Sequence, residues 1–308
     1  MLKKNISLAP HSNLRIGGTA EYFFEAKNVV DLKRAILTAQ KLSKPIFILG
    51  GGTNILFADK DFKGVVIKPN IRTLERRGNK IRVGAGISMA QLLNYSVRNS
   101  LSGLEWAGGL PGTFGGALYG NAGAFGGEIK DAVINVMSLD ISGKKPKVIR
   151  RNVRQCGFGY RTSLFKRKGQ EIILEATLAL KPGSEKLIKR AIVEKIKYRK
   201  ERQPLDYPNI GSIFRNVDLK RVPPSRHAVF AHVIKTDPFP VIPAAYLIAE
   251  AGLKGIASGG AIISPKHPNF IVNVLNAEAD DMMRLINLVK IKVSEKFDIL
   301  LEEEVIVV

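Results

Sequence analysis

Between residues 30 and 42 the apolar positions Leu32, Ala35, Ile36, Ala39 and Leu42 fall on one face of a 3.6-residue period. The spacing predicts an amphipathic helix, with Asn28 or Asp31 placed to cap its start. The next segment, PIFILGGGTNILFAD, is an apolar run, a glycine turn and a second apolar run, the pattern of strand, turn and strand. GVVIK (64–68) predicts another short strand, and IRVGAG (81–86) leads into a helix at about 88–100. VINVMSLD (133–140) and EIILEATLAL (171–180) carry the β-branched or alternating character of strands. The first 180 residues are therefore mixed α and β, with glycine concentrated in the loops.

The pattern changes at residue 184. SEKLIKRAIVEKIKYRKERQ predicts a very basic helix with Leu187, Ile188, Ala191, Ile192 and Ile196 as its apolar stripe, stopped by Pro204. A domain boundary is placed just before it. Residues 217–243 carry Pro223, Pro224, Pro238, Pro240 and Pro243 without a clear period, which predicts an irregular surface excursion. A helix at 244–251 and the strand NFIVNVL (269–275) follow. A helix capped by Asn276 then places Met282, Leu285, Ile286, Val289 and Val293 on one side, with the methionines as packing. LLEEEVIVV predicts a terminal strand, and no repeat of solenoid length is present.

Composition narrows the class. With 308 residues, 45% hydrophobic and 24% charged, the chain is an ordinary globular protein of two compact domains or three small ones. Its single cysteine, Cys156, excludes a disulfide scaffold, and His11, His227, His232 and His267 are too scattered for a zinc-type cluster. No stretch approaches the roughly 18 apolar residues of a membrane helix. Met1 to Asn5 has no apolar core of a signal peptide, so the reducing cytoplasm is the expected compartment. Lys and Arg total 48 against 27 Asp and Glu, a formal charge of +21. That excess suits nucleic acid, acidic lipid, small polyanions or a solvated surface, and composition does not choose among them.

Two glycine-rich segments add chemistry: Gly50-Gly51-Gly52-Thr53-Asn54, and Pro111-Gly112-Thr113-Phe114-Gly115-Gly116 followed by Gly120-Asn121-Ala122-Gly123. Residues without Cβ let the backbone approach a ligand, and successive N–H groups form an anion site. A single such loop is equally well a structural turn; two long ones beside apolar strands favour a dinucleotide. Neither is a Walker A loop, since no Gly-Lys-Ser/Thr follows, and the first does not open a helix as a Rossmann loop must.

These loops, with RIGGTAEYFFE, GGGTNILFAD, GLEWAGGLPGTFGGALYGNAGAFGGEI, CGFGYRTS, NIGSIFRN, AEAGLKG, GGAIISPKHPNF and LEEEV, resemble the UDP-N-acetylenolpyruvoylglucosamine reductase family from about residue 9 to the end. The resemblance implies an α+β fold. A two-lobed FAD-binding domain of the vanillyl-alcohol-oxidase type would occupy 1–183, with lobes of about 1–70 and 71–183. A substrate domain would follow over 184–299, and a strand at 300–308 would return to the first lobe. Non-covalent FAD would lie against Gly50, Gly51, Gly52, Thr53, Asn54, Pro111, Gly112, Thr113, Gly115, Gly116, Asn121, Ala122 and Gly123. The implied reaction takes hydride from NADPH to the flavin, then to the enolpyruvyl ether of a UDP-sugar, giving UDP-N-acetylmuramate for peptidoglycan.

By the same resemblance Arg161 stands beside the substrate carboxylate, Ser212 protonates the enolate, and Glu304 assists enolate formation. Tyr160, Arg202, Arg215, Asn216 and His267 match substrate-lining positions. Read without the resemblance, Ser212 is a turn or cap residue and Arg161 a surface ion-pair partner. The family's Leu-Glu-Pro-Glu-Val is Leu301-Glu302-Glu303-Glu304-Val305 here, and strand alternation puts Glu302 and Glu304 on one face. The short interval between Arg161 and Ser212 is that of the subtype lacking a tyrosine-bearing loop. The implied partners are a UDP-sugar and NADPH, with neither nucleic acid nor membrane. Two rivals are an FAD-dependent oxidase of the same superfamily, disfavoured by flavin loops without histidine, and a nucleic-acid-binding protein, disfavoured by 7% aromatic residues and no recognition motif.

Overall fold

The amphipathic period at 30–42 becomes the helix Val29–Lys41 in the computed structural model, which describes residues 2–308. Asn28 caps it, its side chain accepting the Asp31 N–H at 2.8 Å. Leu32, Ala35, Ile36 and Ala39 are buried with Val65 and Ile67 of a four-stranded sheet. That sheet has the order Lys3–Ser7, Thr19–Ala26, Phe62–Pro69, Ile46–Ile48, and Phe62–Pro69 runs parallel to the strands on either side of it. A second, antiparallel sheet of five strands has the order Lys147–Asn152, Val133–Asp140, Glu171–Ala179, Lys80–Gly84, Leu74–Arg77. The helix Met89–Arg98 opens on a reciprocal Ser88–Gln91 capping box and buries Met89, Leu92 and Leu93 in this lobe's core.

The chain divides into two compact units. The first comprises the chain up to Ile6, Ala20–Gly51 and Phe62–Arg199; the second comprises Ser7–Thr19, Gly52–Asp61 and Lys200–Val308. The division therefore falls after Arg199, not at 184. The reason lies in the basic helix, Glu185–Arg202: Ile188 and Ile192 join Ala107 and Leu180 in the first unit's core. Its buried stripe also departs from expectation, because Leu187 is 64% exposed while Arg199 is buried.

The second unit is built on the helix Ala279–Phe297, which buries Met282, Leu285, Ile286, Val289 and Val293 as predicted. Its cap is Glu278 rather than Asn276, in a capping box with Asp281. Asp281 accepts the N–H groups of Glu278 at 3.0 Å and Gly260 at 3.2 Å and pairs with Arg284. The Glu278 N–H is foremost among the bonds that hold this carboxyl below the usual range, against the opposing effect of burial. The segment 217–243 is more ordered than its prolines suggest. Val217–Asp218 pairs antiparallel with Val241–Ile242, and Val222 and Phe230 enter the core. Only Ile306–Val307 of the terminal run forms a strand, parallel to Ile55–Leu56. Ile55–Leu56 lies within the 1–70 range of the expected first lobe, so the terminal strand returns there as expected, and both segments belong to the second compact unit.

In the five-stranded sheet, Glu171 is buried and accepts Arg151 Nη2 at 2.6 Å and Ser138 Oγ at 2.6 Å. Burial alone would push its carboxyl up; the bonds from Arg151 and Ser138 outweigh it and hold the value low. A depressed folded pKa gives stability that is present above the unfolded value and lost as pH falls through the folded one. Glu171→Gln is expected to melt below the wild type at neutral pH, the gap closing below about pH 4. Thermal melts across pH check this, and a gap independent of pH would refute it.

Candidate functional site

In the first unit the two glycine loops meet backbone to backbone. A Cβ on Gly51 would lie 2.7 Å from Gly112 Cα. One on Gly50 would lie 3.1 Å from Thr113 Oγ1 and 3.8 Å from Gly116 Cα, whereas one on Gly116 would meet nothing nearer than Thr113 Oγ1 at 3.5 Å. Thr113 caps the helix Phe114–Gly120, its hydroxyl accepting the Gly116 N–H at 3.3 Å. The result is a cradle of bare backbone lined by a hydroxyl, which fits the pyrophosphate of a dinucleotide.

Other residues of the loops have structural ties. Asn121 ends the helix in the left-handed conformation (φ +45°) and is fully buried. Its amide donates to Gly159 O at 2.9 Å and Glu128 Oε1 at 3.1 Å, fastening the segment that carries Arg161. Gly123 and Ala124 pair with Gly127 and Glu128 in a small hairpin next to Ala122, and Pro111 leads into the Gly112 contact. Gly52, Thr53 and Asn54 belong to the second unit, where the Asn54 amide donates to Glu304 O at 3.0 Å.

Arg161 adopts φ +54°, rare for a residue with a Cβ, in the turn closed by the Gly159–Thr162 bridge. Its Nη2 donates to Gly123 O at 3.0 Å, and its guanidinium lies 5.0 Å from the Tyr160 ring centroid. Motif reading missed Arg199, which the basic composition of its helix hides. Arg199 donates from Nε to Gly108 O at 2.9 Å, and its guanidinium lies 5.3 Å from the Phe125 ring. Cys156 is buried, which pushes its thiol up to about 11 and leaves it unreactive near neutral pH.

In the second unit Ser212 sits between two buried asparagines. Asn209 accepts the Gly211 N–H at 3.1 Å and donates to Tyr207 O at 2.8 Å. Asn269 accepts the Phe214 N–H at 2.9 Å, donates to Phe214 O at 2.8 Å and accepts the Ile213 N–H on its own carbonyl at 2.8 Å. Gly211 takes φ +82°, which directs the chain into this clamp. The terminal acids run antiparallel alongside: Glu304 N donates to Ile213 O at 2.7 Å, and Arg215 N to Glu302 O at 3.0 Å. Glu302 pairs with Arg221 at 2.6 Å and lies 3.8 Å from Arg215, whereas Glu303 pairs with Lys290 at 2.9 Å. The structure thus brings Ser212, Arg215 and Glu304 onto two adjacent segments.

The remaining candidates diverge. The Asn216 side-chain oxygen Oδ1 accepts the Ala244 N–H at 3.2 Å at the start of the helix Ala244–Glu250. His267 stacks edge-on against Phe270, and burial, reinforced by Lys235, lowers its pKa and keeps the imidazole neutral. Arg202 is exposed and lies 3.5 Å from Glu201. No group of His, Cys, Asp and Glu able to hold a metal occurs among the described residues.

Comparison with known proteins is consistent along the whole chain. Residues 203–308 match the family UDP-N-acetylenolpyruvoylglucosamine reductase, C-terminal domain, and residues 20–145 match FAD binding domain. A UDP-N-acetylenolpyruvoylglucosamine reductase of Anoxybacillus flavithermus is 37% identical over 100% of this chain and 94% of its own. One of Fervidobacterium nodosum is 37% identical over 98% and 90%. The crystal structure of the reductase MurB from Thermus caldophilus superposes with a TM-score of 0.78 at 30% identity, covering 100% of this chain and 99% of that one.

Proposed function

The chain belongs to the UDP-N-acetylenolpyruvoylglucosamine reductase family, an α+β flavoprotein oxidoreductase of peptidoglycan synthesis, and from that membership we propose the division of labour among its residues. The substrate is the enolpyruvyl ether of UDP-N-acetylglucosamine, the product UDP-N-acetylmuramate, and the reductant NADPH. The Gly50–Gly51 and Gly112–Gly116 backbones hold the FAD pyrophosphate. Bound FAD supplies the hydride-carrying centre.

Adding hydride to the enolpyruvyl double bond leaves negative charge on the neighbouring carbon and its carboxylate. Arg161, permanently charged and able to donate two parallel bonds, holds that carboxylate. Ser212 delivers the proton that quenches the carbanion. A hydroxyl is a weak acid in water, so this role demands rigid placement against the developing charge. Glu304 acts on the enolate with Arg161. The observation that carries this reading is the clamp: Asn209 holds Gly211 before Ser212, Asn269 holds Ile213 and Phe214 after it, and Glu304 donates its N–H to Ile213 O.

No helix among the described residues is long and apolar enough to cross a membrane, and we place the enzyme in the cytoplasm, where its nucleotide substrates are made. The +21 charge steers two anionic ligands toward one site, although most of it lies on solvated surface. The test is an anaerobic stopped-flow experiment on the flavin-loaded enzyme. NADPH should bleach the flavin, and the enolpyruvyl substrate should restore its colour without oxygen. Reoxidation by oxygen alone would make the protein an oxidase.

A further inference from the structure

Arg199 carries one feature that bracing a loop does not explain. The residue is 9% exposed, Nε is satisfied by Gly108 O, and Nη2 is buried without any partner. Buried charged donors are ordinarily paired, and an unmet one is costly. The surroundings add to the difficulty. The hairpin Gly123–Glu128 lays Phe125, itself at φ +51°, over the Arg199 guanidinium. Lys195 points its Nζ at the same ring, 5.0 Å from the centroid. The base of that hairpin accepts Arg161 through Gly123 O. Two guanidiniums thus converge on one small hairpin, and burial first, the Arg161 charge second, lower the Arg199 pKa. A guanidinium does not deprotonate in response, so the arrangement calls for an anion.

We propose that Arg199 is a second guanidinium of the Arg161 site, donating its free Nη2 to the carboxylate of the enolpyruvyl group. The inference rests on the functional reading above and extends it. Arg161 alone would bind the substrate carboxylate; two guanidiniums at that group would also hold it in one orientation as charge builds on the adjacent carbon. Arg199 would then discriminate ligands that carry the carboxylate from those that do not.

The test uses the flavin-loaded enzyme with Arg199→Met and Arg199→Lys. Binding is read as the perturbation of flavin absorbance, with the enolpyruvyl substrate and with UDP-N-acetylglucosamine, which lacks the carboxylate. Arg199→Met should weaken the enolpyruvyl ligand by about tenfold or more, the loss expected for a charge-assisted bond. UDP-N-acetylglucosamine should shift by less than about twofold, the signature of a contact it never made. Arg199→Lys keeps the charge and should recover part of the difference, and it serves alone if the Met variant fails to hold flavin. Equal weakening of both ligands would make Arg199 a structural strut and overturn the proposal. So would unchanged substrate binding with an altered flavin potential. A wild type that does not prefer the enolpyruvyl ligand refutes the functional reading itself, whereas a preference surviving in both variants refutes only the role of Arg199.

Discussion

Ser212→Ala is expected to leave flavin reduction by NADPH at nearly its wild-type rate while slowing reoxidation by the enolpyruvyl substrate roughly a hundred- to ten-thousand-fold, the range for loss of a positioned general acid. The asymmetry follows from chemistry. Hydride transfer from NADPH requires no proton at the substrate carbon, so the missing hydroxyl is not used. The second half-reaction generates a carbanion, which in the proposed mechanism the hydroxyl quenches. Structure makes the variant interpretable, because the turn around Ser212 is held by Asn209 and Asn269 through backbone groups that alanine retains. Rapid mixing under anaerobic conditions separates the two phases. Equal slowing of both would assign Ser212 to binding or folding instead of proton delivery.

The fold was legible wherever a hydrophobic period had only one way to be satisfied. The apolar positions of 30–42 and 282–293 give the helices Val29–Lys41 and Ala279–Phe297, and VINVMSLD gives the strand Val133–Asp140. It was illegible where a residue serves two tendencies. Leu187 and Arg199 lie on the same helix, and hydrophobicity alone buries the leucine; the structure exposes it and buries the arginine, whose Nε reaches the Gly108 carbonyl. The unit boundary moved for the same reason, since Ile188 and Ile192 pack with residues before 184. Motifs nominated the candidate site residues, and several of the polar ones are structural ties. Asn121 fastens the Arg161 segment, Asn54 the terminal acids and Asn216 a helix start. Motif spacing reports that an asparagine is required, not whether it faces a ligand or a backbone. At the position of the family proline, Glu303 turns to Lys290, while the next residue, Glu304, donates its N–H to Ile213 O.

Gly116→Val should give a folded but colourless protein, with FAD affinity reduced by about a hundredfold or more, or at least 2.7 kcal/mol. The fold should survive because a Cβ at this position meets no atom nearer than 3.5 Å, and valine is no worse in a helix than glycine. The cofactor should not survive, because the branched side chain fills the space beside Gly50, whose own Cβ would stand 3.8 Å from Gly116 Cα. Gly52→Ala is the contrast. There the backbone is left-handed, φ +67°, and a Cβ would fall 1.9 Å from the His11 carbonyl oxygen, so folding itself should fail. Circular dichroism and thermal melting score the fold, and absorbance of the purified protein scores the flavin. A Gly116→Val enzyme that purifies yellow with a full complement of FAD would place the pyrophosphate away from this cradle, and a Gly116→Val protein that unfolds would mean that packing, not ligand approach, excludes the side chain.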